Sequence, residues 1–430
     1  MKKELNEQFI IDLSKRKNEP EWMLEFRLKS YKKFKELDEP TFGPELNIDF
    51  DNINYYKENK EKMTNDWDKV NCSIRTSFDK LGVIDAEKKY LGGVTNQFES
   101  EVVYHNEIIG EGIIFTSTDD ALQKYPDLFK EYFNHLVNYA ENKYTALNGA
   151  LWSGGSFIYI PKGVKVDRPL QSYFRIESES LGQFERTLII VDEGADLSYI
   201  EGCTAKSYST TSLHAGVVEI FIKKNARCRY STIQNWSTDV YNLVTKRAIV
   251  DENGLMEWVD GNIGSKITMK YPSCILKGEG ATGNSISIAY AKEGQYLDAG
   301  AKMIHLAPNT KSNIVSKSIA EKGGISNYRG TTKISKNATN SKANIKCDTI
   351  ILDELSKSDT FPTNIVGNSS STLEHEATIS KVSAEKMFYL TSKGLSEDTA
   401  KELLIMGFIS DFKKELPMEY AVELNRLLKE

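Results

Sequence analysis

Hydrophobic and polar positions divide the 430-residue chain into three stretches of different periodicity. Residues 1 to about 150 are mostly helical in pattern; in EPEWMLEFRLKSYKKFKEL, apolar residues recur every three or four positions behind Pro20. From about 151 to 382, β-branched and polar residues alternate, as in FIYIPKGVKV, which predicts strands. The helical period then returns. We therefore predict a mostly helical N-terminal region (1–150), a β core (151–382) and a C-terminal helical region (383–430).

A seven-residue phrase recurs in the predicted β core. An apolar residue is followed by a usually charged pair, then Gly or Asn, and mostly by further apolar residues. Its copies are IPKGVKV at 160, VDEGADL at 191, IKKNARC at 222, VDENGLM at 250, AKEGQYL at 291 and AEKGGIS at 320. Because Gly and Asn tolerate the left-handed backbone of a tight corner, corners at intervals of 31, 31, 28, 41 and 29 residues predict the stacked coils of a β-helix. A sandwich with glycine turns is the alternative.

Composition and charge exclude several classes of protein. The formal charge of −6 is too mild to indicate a nucleic-acid or membrane partner, and no basic stripe with interleaved aromatic residues occurs. The N-terminus has no apolar run of signal-peptide length, and no stretch of about 18 apolar residues could span a bilayer. We expect a cytoplasmic protein, or one in a plastid-type organelle.

The cysteines lie too far apart for a local metal motif. They occupy positions 72, 203, 228, 274 and 347, and no CxxC occurs. This spacing argues against a disulfide framework and a zinc finger. A metal site must therefore gather its ligands across the fold or from another chain.

The segment LEHEATIS carries the most concentrated candidate chemistry, in Glu374, His375 and Glu376. It is not an HExxH zinc motif, because Ile379 stands where the second histidine is needed. Cys347 precedes Glu376 by 29 residues, which is close to the repeat and predicts adjacent coils within about 5 Å. Thiolate, imidazole and carboxylate together suit iron or zinc. A charged solvent edge is the alternative.

Strand geometry limits how these three side chains can act together. Successive side chains alternate faces, so Glu374 and Glu376 should point one way and His375 the other. A second candidate, Cys203 in YIEGCTAKS, has room around its thiol beside Gly202. Two other functions stay open: a carbohydrate-active β-helix enzyme using Glu374 and Glu376 about 7 Å apart, and a pure interaction scaffold.

Several motifs in order resemble SufB, the scaffold subunit of the SUF iron–sulfur cluster assembly system. They are PLQSYFRI, GQFERTLIIVDEGA, YIEGCTA, LHAGVVEI, QNW, NLVTKRA, LEHEATISK and MFYLTSKGLSEDTAKELLIMGF. The resemblance covers essentially the whole chain. It implies a mainly β fold, a right-handed parallel β-helix core flanked by α-helical N- and C-terminal regions, and a non-catalytic role.

The resemblance also implies roles for particular residues. Cys203 resembles the family's sulfur-accepting cysteine. Residues that match a sulfur route through the β-helix are Arg175, Gln234, Trp236 and Lys246. Residues that match cluster or iron ligands are Cys347 and Glu376, with Glu374 and His375 beside them. One departure is Glu177, which stands two residues after the route arginine where relatives have Asn.

Partners and cargo follow from the same resemblance. The expected partners are a SufC-like ATPase docked through the C-terminal helices, a SufD-like paralogue or a second SufB, a cysteine desulfurase with or without a sulfur carrier, and apo-protein acceptors. The expected cargo is iron and a nascent Fe–S cluster of the 4Fe–4S type. Whether reduced flavin (FAD) binds in the complex stays open.

Overall fold

The structure is a computed structural model that describes residues 4–59, 63–80, 82–107, 110, 112–382 and 384–415. The part of the predicted C-terminal region at 416–430 lies outside the described residues. Short 3-10 helices occur at Phe50–Asn52 and Trp67–Lys69. The α-helices among the described residues are α1 (Glu7–Arg16), α2 (Glu21–Glu36), α3 (Cys72–Lys80), α4 (Val83–Tyr90), α5 (Thr118–Lys124), α6 (Pro126–Tyr132), α7 (Lys143–Leu151), α8 (Ala384–Ser392), α9 (Glu397–Phe408) and α10 (Ser410–Glu415).

The strands begin within the N-terminal region and continue to residue 381. They are β1 (Gly93–Phe98), β2 (Glu101–Glu107), β3 (Ile114–Ser117), β4 (Ser156–Ile160), β5 (Leu170–Ile176), β6 (Gly182–Gln183), β7 (Arg186–Val191), β8 (Asp196–Ala205), β9 (Ser212–His214), β10 (Val217–Ile222), β11 (Arg227–Trp236), β12 (Val240–Val250), β13 (Leu255–Gly264), β14 (Ile267–Lys270), β15 (Ser273–Leu276), β16 (Thr282–Ala291), β17 (Tyr296–Ala299), β18 (Lys302–His305), β19 (Lys311–Ala320), β20 (Ile325–Ile334), β21 (Lys342–Ile351), β22 (Thr360–Val366) and β23 (Thr372–Lys381).

Two long sheets wrap around a common core. In the first sheet the order runs β2-β1-β5-β8-β11-β13-β16-β19-β21-β23, and every neighbouring pair from β1 onward is parallel. Strands of the second sheet, such as β7, β10 and β12, lie between these in sequence and also pair in parallel. Eight successive coils, from β5 to β23, thus stack into a parallel β-helix. The predicted mainly β fold, with helices flanking a β-helix core, is confirmed.

Tight corners with left-handed backbone join the coils. Gly163, Gly194, Asn225 and Asn253 have φ between +52° and +74°. The N–H of each bonds to a carbonyl of the following coil; for example, the Gly194 N–H donates to the Lys224 carbonyl at 2.9 Å. The predicted corner residues therefore turn the chain and also hold neighbouring coils in register.

Inward-facing side chains fill the β-helix with one continuous core. Near its start the core is aromatic, with Tyr199, Tyr230 and Trp258 on successive strands. The outer face of the first sheet packs against a second apolar cluster that includes Phe78 of α3 and Ile405 of α9. Strands β1 and β2 extend the first sheet and β3 the second, so three strands lie inside the region predicted to be mostly helical.

Capping residues mark the end of α8 and the start of α9. Gly394 follows α8 with φ +89°, and the Ser396 hydroxyl accepts the Thr399 N–H at 3.2 Å at the start of α9. None of the described helices is long and apolar enough to cross a membrane.

Candidate functional site

Cys203 lies inside the β-helix on β8 and has no exposed surface. Its register neighbours on the two adjacent strands are Phe174 and Gln234. A Cβ on Gly202 would lie 2.4 Å from the ring of Tyr173, so the space at Gly202 is occupied by that ring and not by the thiol. Burial, and then the carboxylates of Glu201 and Glu185, raise the pKa of Cys203 well above its ordinary value.

A buried ion pair lies two residues away from the thiol on the same inner face. The Lys246 ammonium contacts Glu201 Oε1 at 2.9 Å and Thr232 Oγ1 at 2.9 Å, across the interior from β12 to β8 and β11. The Tyr230 hydroxyl donates to the other oxygen of Glu201. Burial opposes ionisation of Glu201, but Lys246 and Tyr230 outweigh it and lower its pKa. Both side chains are therefore charged, and the charge of each is balanced by that of the other.

A second buried ion pair lies further along, with Asp260 two strands beyond Glu201 in the first sheet and Lys270 on the strand next to that of Lys246. Lys270 Nζ lies 2.9 Å from Asp260 Oδ1 and 3.3 Å from Gln234 Oε1. Burial lowers the pKa of Lys270, while Lys270 and Lys246 lower the pKa of Asp260 against its own burial. The interior is therefore lined by two cationic side chains, Lys246 on β12 and Lys270 on β14.

Two buried hydrogen-bond donors near Cys203 have no acceptor among the described residues. They are Gln234 Nε2 and Trp236 Nε1. Trp236 belongs to the same apolar cluster as Cys203, and Gln234 lies directly beside it in the strand register. An unsatisfied buried donor costs about 1–3 kcal/mol, so this space is suited to an anion or another acceptor.

Register connects this chemistry to Cys347 through two rows of inward-facing positions, which we call the polar rows. The first row is Glu201, Thr232, Asp260, Ser287, Ser316 and Cys347. The second row is Cys203, Gln234, Asn262, Ala289, Ser318 and Thr349. All of them are buried. Five strand steps of about 4.8 Å make the polar rows about 24 Å long. Polar groups are unusual in such a core. Cys203 begins the second row and Cys347 ends the first, and the two rows lie two residues apart on every strand.

Cys347 meets His375 on the last coil. Its Sγ lies 3.7 Å from His375 Nε2, and the other ring nitrogen lies 3.0 Å from Asn364 Nδ2. Burial raises the pKa of the Cys347 thiol to about 12, although the neighbouring Tyr328 hydroxyl opposes the shift. A soft sulfur and an imidazole are thus side by side at the end of the polar rows.

Glu374 and Glu376 lie on the other face of β23. The register partner of Glu376 is Lys346, with 3.8 Å between the Lys346 ammonium and Glu376 Oε2, whereas that of Cys347 is Ala377. Both glutamates are exposed. Within the chain, the structure therefore brings Cys347 together with His375 and does not bring it together with Glu376.

Arg175 is also turned away from Cys203. Its register partner is Thr204, whose hydroxyl accepts from Arg175 Nη1 at 2.9 Å, while Arg175 Nε contacts Glu177 at 3.1 Å. The extra acidic residue seen in the sequence thus neutralises this arginine at the half-buried outer face.

No group of three His, Cys, Asp or Glu side chains capable of holding a metal ion occurs in the part of the chain that the structure describes. Sequence reasoning also missed Glu201, Asp260 and Lys270. The signal was available, because charged residues at inward positions of apolar strands, spaced by the coil repeat, must find a partner in the core. Glu201 and Asp260 are 59 residues apart, close to two coils.

Comparison with known proteins identifies the family of this chain. Residues 174–408 match the model of the SUF system FeS cluster assembly SufBD core domain, and residues 12–172 match the SufBD protein N-terminal region. Iron-sulfur cluster assembly SufBD family proteins of Staphylococcus epidermidis and Staphylococcus aureus are each 59% identical over 99% of this chain and 92% of their own length. A Staphylococcus saprophyticus member is 58% identical over the same shares. The chain belongs to the SufBD family of iron–sulfur cluster assembly proteins.

Proposed function

We propose that this chain is the SufB-type scaffold of its SUF system, which accepts persulfide sulfur, assembles a nascent cluster with iron and passes it to apo-proteins. The observation that carries the proposal is the pair of adjacent polar rows, of which one begins at Cys203 and the other ends at Cys347. A SufD-type subunit would have no evident use for a buried cysteine at the start of such rows. The family assignment likewise favours assembly over carbohydrate hydrolysis, and the exposed Glu374 and Glu376 serve better as surface groups.

Sulfur would enter at Cys203. The Cys203 thiolate attacks the terminal sulfur of a persulfide on a cysteine desulfurase or sulfur carrier. An S–S bond forms on Cys203, the donor's S–S bond breaks, and the donor leaves as a thiolate. Because the thiol pKa is raised, the reaction needs nearby cationic and donor groups, and Lys246, Gln234 and Trp236 supply them.

The remaining route residue, Arg175, would act outside the core. Paired with Glu177 and half-buried, it suits the approach of the sulfur donor better than passage through the interior. Release from Cys203 would need two electrons, which the reduced flavin of the complex would supply: the S–S bond breaks, the Cys203 thiolate is restored and hydrosulfide leaves. The serine and threonine hydroxyls of the polar rows offer hydrogen bonds to this anion on its way to Cys347.

Iron and sulfur would combine at Cys347. His375 contributes a second donor from inside the coil, while Glu376 and Glu374 offer carboxylates along the outer edge. Since no third ligand joins Cys347 and His375 among the described residues, the remaining ligands would come from a SufD-like paralogue or a second SufB at this open end. The cluster, of the 4Fe–4S type, is cargo and not a resident cofactor.

Other partners follow from the family. A SufC-like ATPase would dock through the C-terminal helices, where Phe388 and Tyr389 of α8 are 74% and 61% exposed. ATP hydrolysis would belong to that partner, so this chain is a non-catalytic scaffold of the cytoplasm. Reduced flavin would serve, where it binds, as an electron donor in the assembled complex.

Anaerobic reconstitution tests the proposal. The full chain is purified with its SufC- and SufD-like partners and given ferrous iron, a desulfurase and cysteine, and cluster absorption is followed. Cys203→Ala should lose assembly driven by the desulfurase, and Cys347→Ala should lose assembly from any sulfur source. The matched control is Cys228→Ala, because Cys228 is equally buried in the same core. Normal assembly by both test variants would refute the assignment.

A further inference from the structure

His214 is buried between two groups beside the Cys203 cluster. Its Nε2 lies 2.7 Å from Glu185 Oε1, and its Nδ1 lies 2.8 Å from Asn242 Oδ1. The ring packs against Trp236, with 4.6 Å between ring centroids. Sequence analysis gave this histidine no role, and the sulfur route described above does not include it.

The direction of each hydrogen bond in this network is set by Lys270. An ammonium only donates, so the atom of Gln234 that faces Lys270 at 3.3 Å must be the carbonyl oxygen. The same oxygen lies 2.8 Å from Asn242, which must therefore present its NH2 group. The oxygen of Asn242 is then the atom that faces His214, and His214 Nδ1 must carry a hydrogen.

Glu185 faces the second ring nitrogen, His214 Nε2, and determines whether it carries a hydrogen. Its Oε1 lies 2.7 Å from His214 Nε2, and a hydrogen on this nitrogen lets the carboxylate oxygen accept. Burial opposes the charge, but Glu185, Asn242 and the more distant Glu201 outweigh it and raise the pKa of His214. A Cβ on residue 216 would lie 2.1 Å from Glu185 Oε1, so Gly216 leaves the room that this carboxylate occupies.

We propose that His214 is held as an imidazolium and is a positioning residue for sulfur transfer at Cys203: through Asn242 it fixes the Gln234 amide with its NH2 group free for an anionic sulfur. The inference rests on the proposed role of Cys203. With its oxygen held by Asn242 and Lys270, Gln234 keeps Nε2 without an acceptor among the described residues. Trp236, whose ring packs at a tilt against His214, likewise keeps an unsatisfied Nε1. Both donors gain a partner once Cys203 carries a perthiolate.

A double-mutant cycle tests the connection. The full chain is treated with cysteine persulfide as the probe, and the rate of persulfide formation on Cys203 is measured by trapping and peptide mass spectrometry. We expect His214→Gln and Gln234→Leu each to slow loading at least tenfold, and the double variant to be no slower than Gln234→Leu alone. His305→Gln is the matched control, because His305 is also fully buried but its ring nitrogens bond to the hydroxyls of Thr310 and Ser312 and not to a carboxylate or an amide of the described chain.

A second variant and a spectroscopic readout cover the case in which His214→Gln does not fold. Glu185→Gln keeps the shape of the site and removes the charge that holds the proton. In the wild type, ¹⁵N shifts of the labelled histidine should show both His214 nitrogens protonated at pH 7, and Glu185→Gln should abolish this state and slow loading.

The outcomes separate the inference from the proposed function. The positioning role would be overturned if the rate reductions caused by His214→Gln and Gln234→Leu multiplied in the double variant. A neutral His214 at pH 7 would overturn it as well. In both cases Cys203 would still be loaded with sulfur. Absence of loading on Cys203 in the wild type, with sulfur reaching Cys347 directly, would overturn the proposed entry site itself.

Discussion

Cys347 and His375 lie on adjacent coils with Sγ and Nε2 3.7 Å apart, and both face the interior of the β-helix where its last coil ends. The two side chains therefore form a donor pair that belongs to this chain alone. The neighbouring glutamates face outward and can join such a site only from the edge.

Cobalt binding should show whether the metal ligands are the inward-facing Cys347 and His375 or the outward-facing glutamates. In the isolated full chain carrying Cys72→Ser, which removes an exposed thiol, Co²⁺ should give a thiolate charge-transfer band. His375→Ala should weaken binding about tenfold, because one of two donors is lost, and Cys347→Ser should abolish the band. Glu376→Gln should leave it unchanged.

The control for this experiment is Lys346→Gln, which removes the ion-pair partner of Glu376 without touching either donor. A band lost in Glu376→Gln but kept in His375→Ala would show that the last coil rearranges to place the carboxylate on the metal.

Removal of one partner of the buried Lys246–Glu201 ion pair should destabilise the folded chain more than removal of both. Lys246→Met leaves Glu201 without its cation in the core and should lower the free energy of unfolding by about 3–5 kcal/mol. The double variant Lys246→Met/Glu201→Gln should recover much of that loss, since both charges are gone. Urea denaturation followed by circular dichroism measures both. A single variant as stable as the wild type would mean that Glu201 is protonated in the native state.

The repeat in the sequence predicted the β-helix because a tight corner between strands needs a residue with positive φ, which favours Gly and Asn. In all six phrases the fourth residue has positive φ, from Gly163 to Gly323. Two of them mark a different corner, however: Gly294 and Gly323 follow strands of the first sheet, whereas the earlier four precede them. The 41-residue interval arises from this change of corner. Gly280 and Asn309, both with positive φ, continue the original series.

The partner of Cys347 could not be predicted from the same spacing. Coil lengths vary between 27 and 31 residues, as in the 31 residues from Ser316 to Cys347 and the 30 from Cys347 to Ala377. An interval of 29 residues pointed to Glu376, but a shift of one residue in register reverses the face of every side chain. Alternation along β23 placed His375 opposite to Glu374 and Glu376, because that depends only on the strand itself.

The free energy of unfolding should decrease as the pH falls below neutral, because His305 is protonated more readily in the unfolded chain than in the folded one. Burial lowers its pKa to about 4 from an ordinary 6.5, and Thr310 and Ser312 bond both ring nitrogens. The native state therefore keeps His305 neutral while the unfolded chain takes up a proton as pH falls below 6.5. This difference should cost about 2 kcal/mol of unfolding free energy between pH 7 and pH 5, and the loss is complete near pH 4.

His305→Gln isolates this contribution from the carboxylates that also titrate. The difference between the wild type and His305→Gln in urea unfolding should shrink by about 2 kcal/mol from pH 7 to pH 5. A difference that is constant over that range would mean that His305 protonates normally in the folded chain.

The open end of the β-helix should be the place where association with a SufD-like subunit or a second copy is most sensitive. Ile379 continues the row of Cys203 and Thr349 and so faces inward, yet it is 49% exposed because no further coil of the described residues covers it. Ile365 of β22 is 47% exposed at the same end. An apolar position left open at a sheet edge is suited to burial against another chain.

Ile379→Asp should therefore raise the dissociation constant of the complex at least about tenfold, since a carboxylate would be buried there without a partner. Far-UV circular dichroism should be unchanged, because the side chain is half exposed in the free chain. Tyr90→Asp on α4 is the matched control, as Tyr90 is 42% exposed and far along the chain from this edge. Light scattering of the mixed subunits measures the association, and full binding by Ile379→Asp would place the partner elsewhere on the chain.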